Sequence, residues 1–307
     1  MPIRHLMVAG TTFGPVGTGC KNARMASGFW EQVVADGLKV PTERSLVEMT
    51  EDLTRMLGDP DPDVRDGIAF PTMATWIDEG VYDDLLVGLG DGMCHGLDIG
   101  LGLSEDDTVF RRSFSALILT ECIDRSTAAG LVGPDAVMRW GDRLMSWISR
   151  ERDLRGYVPG KGWAHAVAHG ADALGALARS PYLGRLELTV ILDVIADRLL
   201  SPTETFLVCG EDDRLAFATM HLLRRNILEL DVLEPWVARL AAGANSRGGF
   251  SRNPFHVTGN VQGYLRSLHL QLALGSDHPT VRTDLMLVLM AHLRATNPAY
   301  FVPPRQH

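Results

Sequence analysis

Apolar residues recur along most of the chain at the three- and four-residue spacing of a helix face, and no segment shows the strict alternation of a half-buried strand. Residues 45–57 form one amphipathic pattern, with Leu46, Met49, Leu53, Met56 and Leu57 along one side. The run Gly58-Asp-Pro-Asp-Pro-Asp63 breaks it. Asp61 is placed to cap the next helix, and Pro62 stands at its first position, where a missing N–H costs nothing. That helix runs through Val64, Ile68, Ala69 and Met73 to Trp76 and Ile77. Further helices are expected over 81–97, from Glu105-Asp-Asp107 through Phe110, Phe114, Leu117, Ile118 and Cys122, and from Gly133-Pro134-Asp135 through Val137, Trp140, Leu144, Trp147 and Ile148. The later ones are expected over 163–179, 183–200, 212–228, 233–242, 257–274 and 280–295. Short Gly/Pro/Asp turns join them, and no hairpin signal stands out. The pattern predicts an all-α fold of antiparallel helix pairs stacked side by side.

The segment from Leu53 through Met56-Leu57-Gly-Asp59-Pro-Asp61-Pro-Asp-Val64-Arg65-Asp66 resembles the inter-helix turn of HEAT-type repeats, in which an Asp and a following Val-Arg recur. His278-Pro279-Thr280-Val281-Arg282 is a weaker echo. The resemblance implies a HEAT-like α-solenoid or a compact helical array with a degenerate period. No shift in composition marks a second domain, so residues 25–307 read as one helical domain.

Composition changes this picture little. The chain has 307 residues, 46% hydrophobic and 22% charged, enough for a large core. A formal net charge of −9 argues against a nucleic-acid partner. The four cysteines, Cys20, Cys94, Cys122 and Cys209, contain no Cys-x-x-Cys pair, which fits reduced thiols in a cytoplasmic protein. No apolar run is long enough to span a bilayer. Residues 1–24 are rich in Gly and Thr, lack a secretory h-region and have no Leu three residues before Cys20; they read as a disordered extension.

The chemistry concentrates in the stretch from Arg155 to Asp172, Arg-Gly-Tyr-Val-Pro-Gly-Lys-Gly-Trp-Ala-His-Ala-Val-Ala-His-Gly-Ala-Asp. If the part after Gly162 is helical, His165, His169 and Asp172 share one helix face among small neighbours. Two His at i, i+4 can chelate a divalent metal, with Asp172 or Glu211 as a third ligand. Without a metal, a His would act as general base and a carboxylate would orient it. A structural reading stands beside these: one His bonds a neighbouring helix and Asp172 pairs an Arg. Position 166 is Ala, so the His-Glu-x-x-His metalloprotease motif is absent. Gly156, Gly160 and Gly162 around Lys161 could cradle an anion at a helix start, or simply make a tight turn; they do not form a P-loop. No Gly-x-Ser-x-Gly and no dinucleotide fingerprint occurs. The acids of Glu211-Asp212-Asp213-Arg214 suit a helix N-terminus electrostatically, and Glu211 or Asp213 could also point towards the two His. Arg111 or Arg112 could pair a buried acid such as Asp66 or Asp107. The candidate catalytic set is therefore His165, His169, Asp172 and Glu211. The candidate ligand contacts are Arg155, Lys161, Trp163, Arg112 and Arg214.

Five stretches together resemble a bacterial family with no assigned function, domain-of-unknown-function family 2785. They are Arg65-Asp66, Phe110-Arg-Arg-Ser-Phe-Ser115, the 151–172 block with its Gly-Trp-Ala-His-x-x-Ala-His-Gly-Ala-Asp core, Glu211-Asp-Asp-Arg-Leu215, and Asn260-Val-x-x-Tyr-Leu-Arg-Ser-Leu268. The resemblance implies a helical fold and carries over no activity. The expected function is binding of a protein, peptide or small anionic ligand in a polar His/Asp/Arg pocket; the alternative is a metal-dependent or His-based hydrolase-like enzyme.

Overall fold

The computed structural model describes residues 24–244 and 253–301. The chain falls into two units, residues 1–41 and 42–307. In the first, α1 (Arg24–Ala35) brings Phe29 and Trp30 edge to face at 5.0 Å. The extension expected over residues 1–24 lies outside the described residues up to Arg24, where α1 begins.

Among its described residues the second unit is all-α apart from one two-residue-per-strand hairpin. Its first helix, α2 (Leu46–Met56), opens with a full capping box: Ser45 Oγ accepts from the Glu48 N–H and Glu48 Oε2 from the Ser45 N–H. Asp61 caps α3 (Pro62–Val64), with Pro62 at the first turn as expected. The helix then departs from the expected continuous run. Residues Arg65–Ala69 form a π turn before α4 (Phe70–Asp78). Pro71 has no N–H to give the carbonyl one turn back, and its ring crowds that carbonyl. The Phe70 N–H bonds Arg65 O instead, which widens the turn.

After α5 (Leu86–Gly96), α6 (Thr108–Ala129) and α7 (Pro134–Arg150) come β1 (Tyr157–Val158) and β2 (Gly162–Trp163), then α8 (Ala166–Arg179), α9 (Arg185–Leu200), α10 (Glu211–Arg224), α11 (Leu230–Ala244), α12 (Phe255–Leu274), α13 (Arg282–Thr296) and the short α14 (Pro298–Phe301). The helices pack as two layers. One layer holds α4, α6, α8, α10 and α12; the other holds α5, α7, α9, α11 and α13.

Side-chain bonds give the direction within each layer. Ser113 of α6 meets His169 of α8, and further along Asp124 meets Arg179, so the two helices run parallel. Asp172 meets Arg214, and Arg225 bonds Ala178 O, so α8 and α10 are parallel too. In the other layer Asp91 meets Trp140 and Asp98 meets Arg143; Leu192 O meets Trp236 and Asp197 meets Arg239. The partners are separated by 42 to 56 residues, an irregular repeat. Consecutive helices alternate between layers, and Phe110, Leu117, Leu144, Leu177, Leu215 and Leu222 are buried between them. One consequence positions the site. The N-terminal turns of α6, α8 and α10 stand side by side at one rim.

Among the described residues no helix is long and apolar enough to cross a membrane.

Candidate functional site

The rim is closed by a hairpin that departs from the expectation of uninterrupted helix. Residues 163–165 are not helical; α8 starts at Ala166. The turn Val158-Pro159-Gly160-Lys161 is built by its residue types. Pro fixes φ at its second position, Gly160 takes φ +76° at its third, and the Lys161 N–H bonds Val158 O at 3.0 Å. The register pairs Tyr157 with Trp163 and Val158 with Gly162. Directly opposed residues on antiparallel strands share a face. Tyr157 and Trp163 therefore meet edge to face at 5.0 Å, and they remain 55% and 41% exposed. Gly162 must be glycine for two reasons: its φ is +77°, and a Cβ there would stand 3.1 Å from both the Arg65 guanidinium and Pro62.

His165 ends the hairpin in the left-handed region, φ 49° and ψ 34°, and its carbonyl accepts the first bond of α8 from the His169 N–H. A non-glycine residue there is uncommon and strained. The conformation lays the imidazole flat against Trp163, 4.3 Å between ring centroids at 21°. His165 next meets His169 edge-on at 5.8 Å, and His169 meets Phe114 at 5.0 Å. A continuous set of ring contacts thus runs from exposed Tyr157 to a His169 with no exposed surface.

The hydrogen bonds fix what His169 can do. Ser113 Oγ donates to Ala164 O and lies 2.7 Å from His169 Nδ1. A hydroxyl has one hydrogen. With that hydrogen given to Ala164, Ser113 Oγ can only accept, so His169 carries its proton on Nδ1. Nε2 is then a bare lone pair on the other side of the ring, buried and without a partner. His165 is 7% exposed, and both its ring nitrogens also lack a hydrogen-bond partner. Burial pushes His165 down to about 4, with nearby Arg214 adding to the effect and the Cys209 backbone opposing it. Burial holds His169 well below the ordinary histidine value, and Arg214 and His165 press it the same way. Both imidazoles are neutral at pH 7.

The expected charged partners are each engaged elsewhere. Asp172 forms a buried ion pair with Arg214. Burial lowers that guanidinium to about 10. Glu211 is buried at the start of α10, where Oε2 accepts from the Cys209 N–H at 2.7 Å; burial raises its pKa. Its other oxygen packs against Gly156, where a Cβ would come within 2.7 Å. Glu211 therefore braces the hairpin and the Cys209 segment beside His165. Asp213 turns away, accepting from Ser267 on α12. Arg112 is committed to Glu151 through two bonds of 2.6 and 2.9 Å, both side chains fully buried, and its remaining N–H groups reach Ile99 O and Thr108 Oγ1. Asp66 pairs the adjacent Arg65 and Asp107 pairs Lys161 at 2.7 Å, so neither acid takes Arg111 or Arg112. Arg111 bonds Thr54 O. Arg155 pairs Asp153 at 2.6 Å. Among the described residues, each of the four expected cations thus faces a carboxylate. No group of three His, Cys, Asp or Glu side chains there converges as a metal-ligand set.

Sequence reasoning passed over Ser113, Cys209, Tyr157 and the role of Arg65. Arg65 is fully buried, lies 4.1 Å over the Phe110 ring, and ties the hairpin to α3 by bonding Lys161 O at 2.8 Å. The Pro159-Gly160 pair is the one local signal that exposes the hairpin, and with it the pairing of Tyr157 with Trp163. Two surface grooves lie elsewhere. One of about 440 Å³ is lined by Glu51, Thr54, Arg55, Gly58, Ile99 and Arg111. One of about 290 Å³ runs from Val47 and Thr50 to Tyr82, Leu85 and Met93. Neither is lined by the histidine pair.

Paired helices in two layers, with a neutral histidine pair set beneath an aromatic hairpin at the rim, define an all-α helical-stack protein. Residues 97–270, more than half of the chain, match the family described as Protein of unknown function (DUF2785), and the chain belongs to that family. The match contains the hairpin, both histidines, Ser113, Asp172, Glu211 and Arg214; Arg65 lies outside it. No curated protein and no solved structure matches the chain.

Proposed function

We propose that this chain is a binding protein that takes a hydrogen-bond-donating ligand at the hairpin and the histidine pair. One observation carries the reading: the Nε2 lone pair of His169, buried without a partner one ring contact below His165 and two below exposed Trp163. An unmet buried polar atom costs about 1–3 kcal/mol, so a native site that keeps one calls for an occupant. The tyrosine and tryptophan at the mouth are the side chains most enriched where proteins bind partners.

Acid–base catalysis receives less support. A general base works best with a pKa near the operating pH. Burial puts His165 near 4 and His169 lower, which makes them acceptors and weak bases. A divalent metal needs a third protein ligand, and Asp172 and Glu211 are spent on Arg214 and the Cys209 N–H. An anion clamp needs free cations, and Arg155 and Lys161 already face acids.

Ligand-detected NMR on three four-carbon probes, an alcohol, an alkylammonium salt and a carboxylate, tests this reading. At least one class is expected to show saturation transfer that disappears in Trp163→Leu. No transfer for any class, or transfer unchanged in Trp163→Leu, overturns it.

A further inference from the structure

We infer that Arg111 is the anchor of a second site, away from the hairpin, where its guanidinium takes a small organic monocarboxylate in the groove of about 440 Å³ between α2 and the start of α6. The inference stands apart from the binding reading above.

The groove follows one face of α2. Glu51, Thr54, Arg55 and Gly58 recur along it at three- and four-residue spacing, and Ile99 and Arg111 form the other side. Arg111 enters over Gly58, where a Cβ would stand 3.0 Å from its own Cβ. Its Nη1 donates to Thr54 O, a carbonyl that the last turn of α2 leaves open. Among the described residues nothing takes the hydrogens of Nε and Nη2, and neither nitrogen is fully buried. That edge is where other arginines of this chain hold carboxylates. Arg112 holds Glu151 on it at 2.6 and 2.9 Å, and Arg125 holds Asp83 at 2.8 and 2.6 Å.

Charge is the second observation. No carboxylate of a described residue pairs half-buried Arg111. Arg65 is buried too, but Asp66, Asp59 and Asp61 act to raise it; burial alone acts on Arg111 and lowers it to about 10. A cation partly withdrawn from water and left without a counter-charge gains more from an anion than an exposed one does. Arg55, the other cation of the groove, already holds Asp52. Glu51 does not fill the role. It stands about two turns back from Gly58, and helical side chains lean towards the N-terminus, away from where Arg111 enters.

The class of anion follows from the same residues. Two carboxylate oxygens match two parallel N–H groups of a guanidinium edge. Glu51 lines the groove as well, and it repels a phosphate dianion more than a monoanion. Ile99 is 45% exposed and offers the carbon chain of an organic acid an apolar contact.

The experiment titrates the full chain at about 0.15 M salt, where distant charges are screened, with butyrate, butanamide, inorganic phosphate and N-acetylglycinate. The Arg111 Nε–H signal is followed by proton–nitrogen NMR. A chain of net charge −9 repels loose anions, so a saturable shift reports a local site. Butyrate is expected to bind about 5- to 10-fold tighter than butanamide, the advantage of a charge-assisted pair over a neutral one, and tighter than phosphate. Arg111→Lys keeps the charge and loses the paired edge; saturation transfer to butyrate is expected to weaken several-fold. Glu51→Gln, a change at an exposed position, is expected to tighten phosphate about 2-fold and butyrate less. N-acetylglycinate models a chain end. Tighter binding of it than of butyrate supports the class and assigns the carboxylate to a peptide terminus; the reverse supports the class and assigns it to a free acid. Equal binding of butyrate and butanamide overturns the anion. Tightest binding by phosphate overturns the carboxylate. No saturable shift, or butyrate binding unchanged in Arg111→Lys, overturns the site. The comparison of probes on the unaltered chain decides the matter if Arg111→Lys fails to fold. Of the three four-carbon probes above, the carboxylate alone is expected to keep its transfer in Trp163→Leu, so the hairpin reading is judged on the alcohol and the alkylammonium.

Discussion

His165 and His169 sit four residues apart, yet they belong to different kinds of backbone. His169 is inside α8, and His165 is the left-handed residue before it. Strain of that sort costs about 1–3 kcal/mol and is tolerated best by Gly and Asn. His165→Asn is therefore expected to fold with near-native stability. His165→Val, with a branched Cβ, is expected to be about 1–2 kcal/mol less stable than His165→Asn in urea unfolding; equal stability of the two would remove the backbone argument. The His-x-x-x-His spacing made both residues legible as a pair. Their partner was not legible. Ser113 is 56 residues away, and only the parallel packing of α6 and α8 brings it to Nδ1. Asp172 follows the pattern foreseen as structural, an acid paired with an Arg.

At the scale of elements, amphipathic periodicity found almost every helix, because one face of each packs on the facing layer. It missed two places where the backbone leaves the α ladder. The π turn at Arg65–Ala69 follows from Pro71, and the hairpin follows from Pro159-Gly160; both are signals of single residues that a window of eleven or more averages away. The joints between elements are polar. Glu151, at the end of α7, accepts from Arg112 of α6 and from the Trp147 indole N–H, while its own carbonyl accepts from Arg198 of α9. Removing one partner of a buried ion pair costs about 3–5 kcal/mol. Glu151→Gln is expected to lose an amount near the lower end of that range in chemical denaturation, because the amide still accepts from Arg112 and still fills the site. A loss below about 1 kcal/mol would show that the pair is not a joint of the stack.

For the whole molecule, buried His165 and His169 and half-buried His221 set the response to pH. His165 lies near 4 and His221 near 3 in the folded chain, and His169 well below the ordinary value of about 6.5. Each folded value is depressed, so the unfolded chain takes up the proton first. The contribution is fully present above about pH 6.5 and is lost as pH falls towards those folded values, at about 1.4 kcal/mol per pH unit for each group. Asp66, raised to about 6, runs the other way: its charging lowers stability as pH rises from about 4 to 6, and it offsets part of the histidine slope in that window. Urea unfolding at pH 7, 6 and 5 is expected to show falling stability, with a slope reduced by about one proton in His165→Asn. A flat profile would mean that the histidines are not buried neutral. The net charge of −9 was legible in the composition; which acids act on Arg65 and Arg155 was not, since those acids come from segments far apart in sequence.

The central claim is that His169 is a neutral, fully buried acceptor with its proton on Nδ1. Long-range proton–nitrogen spectra of the histidine rings, recorded from pH 8 to 5 on uniformly labelled protein, read tautomer and charge together. The expected result is an Nδ1–H signal for His169 that does not titrate across this range, lost in His169→Gln. An Nε2–H signal, or a midpoint near 6.5, would contradict it.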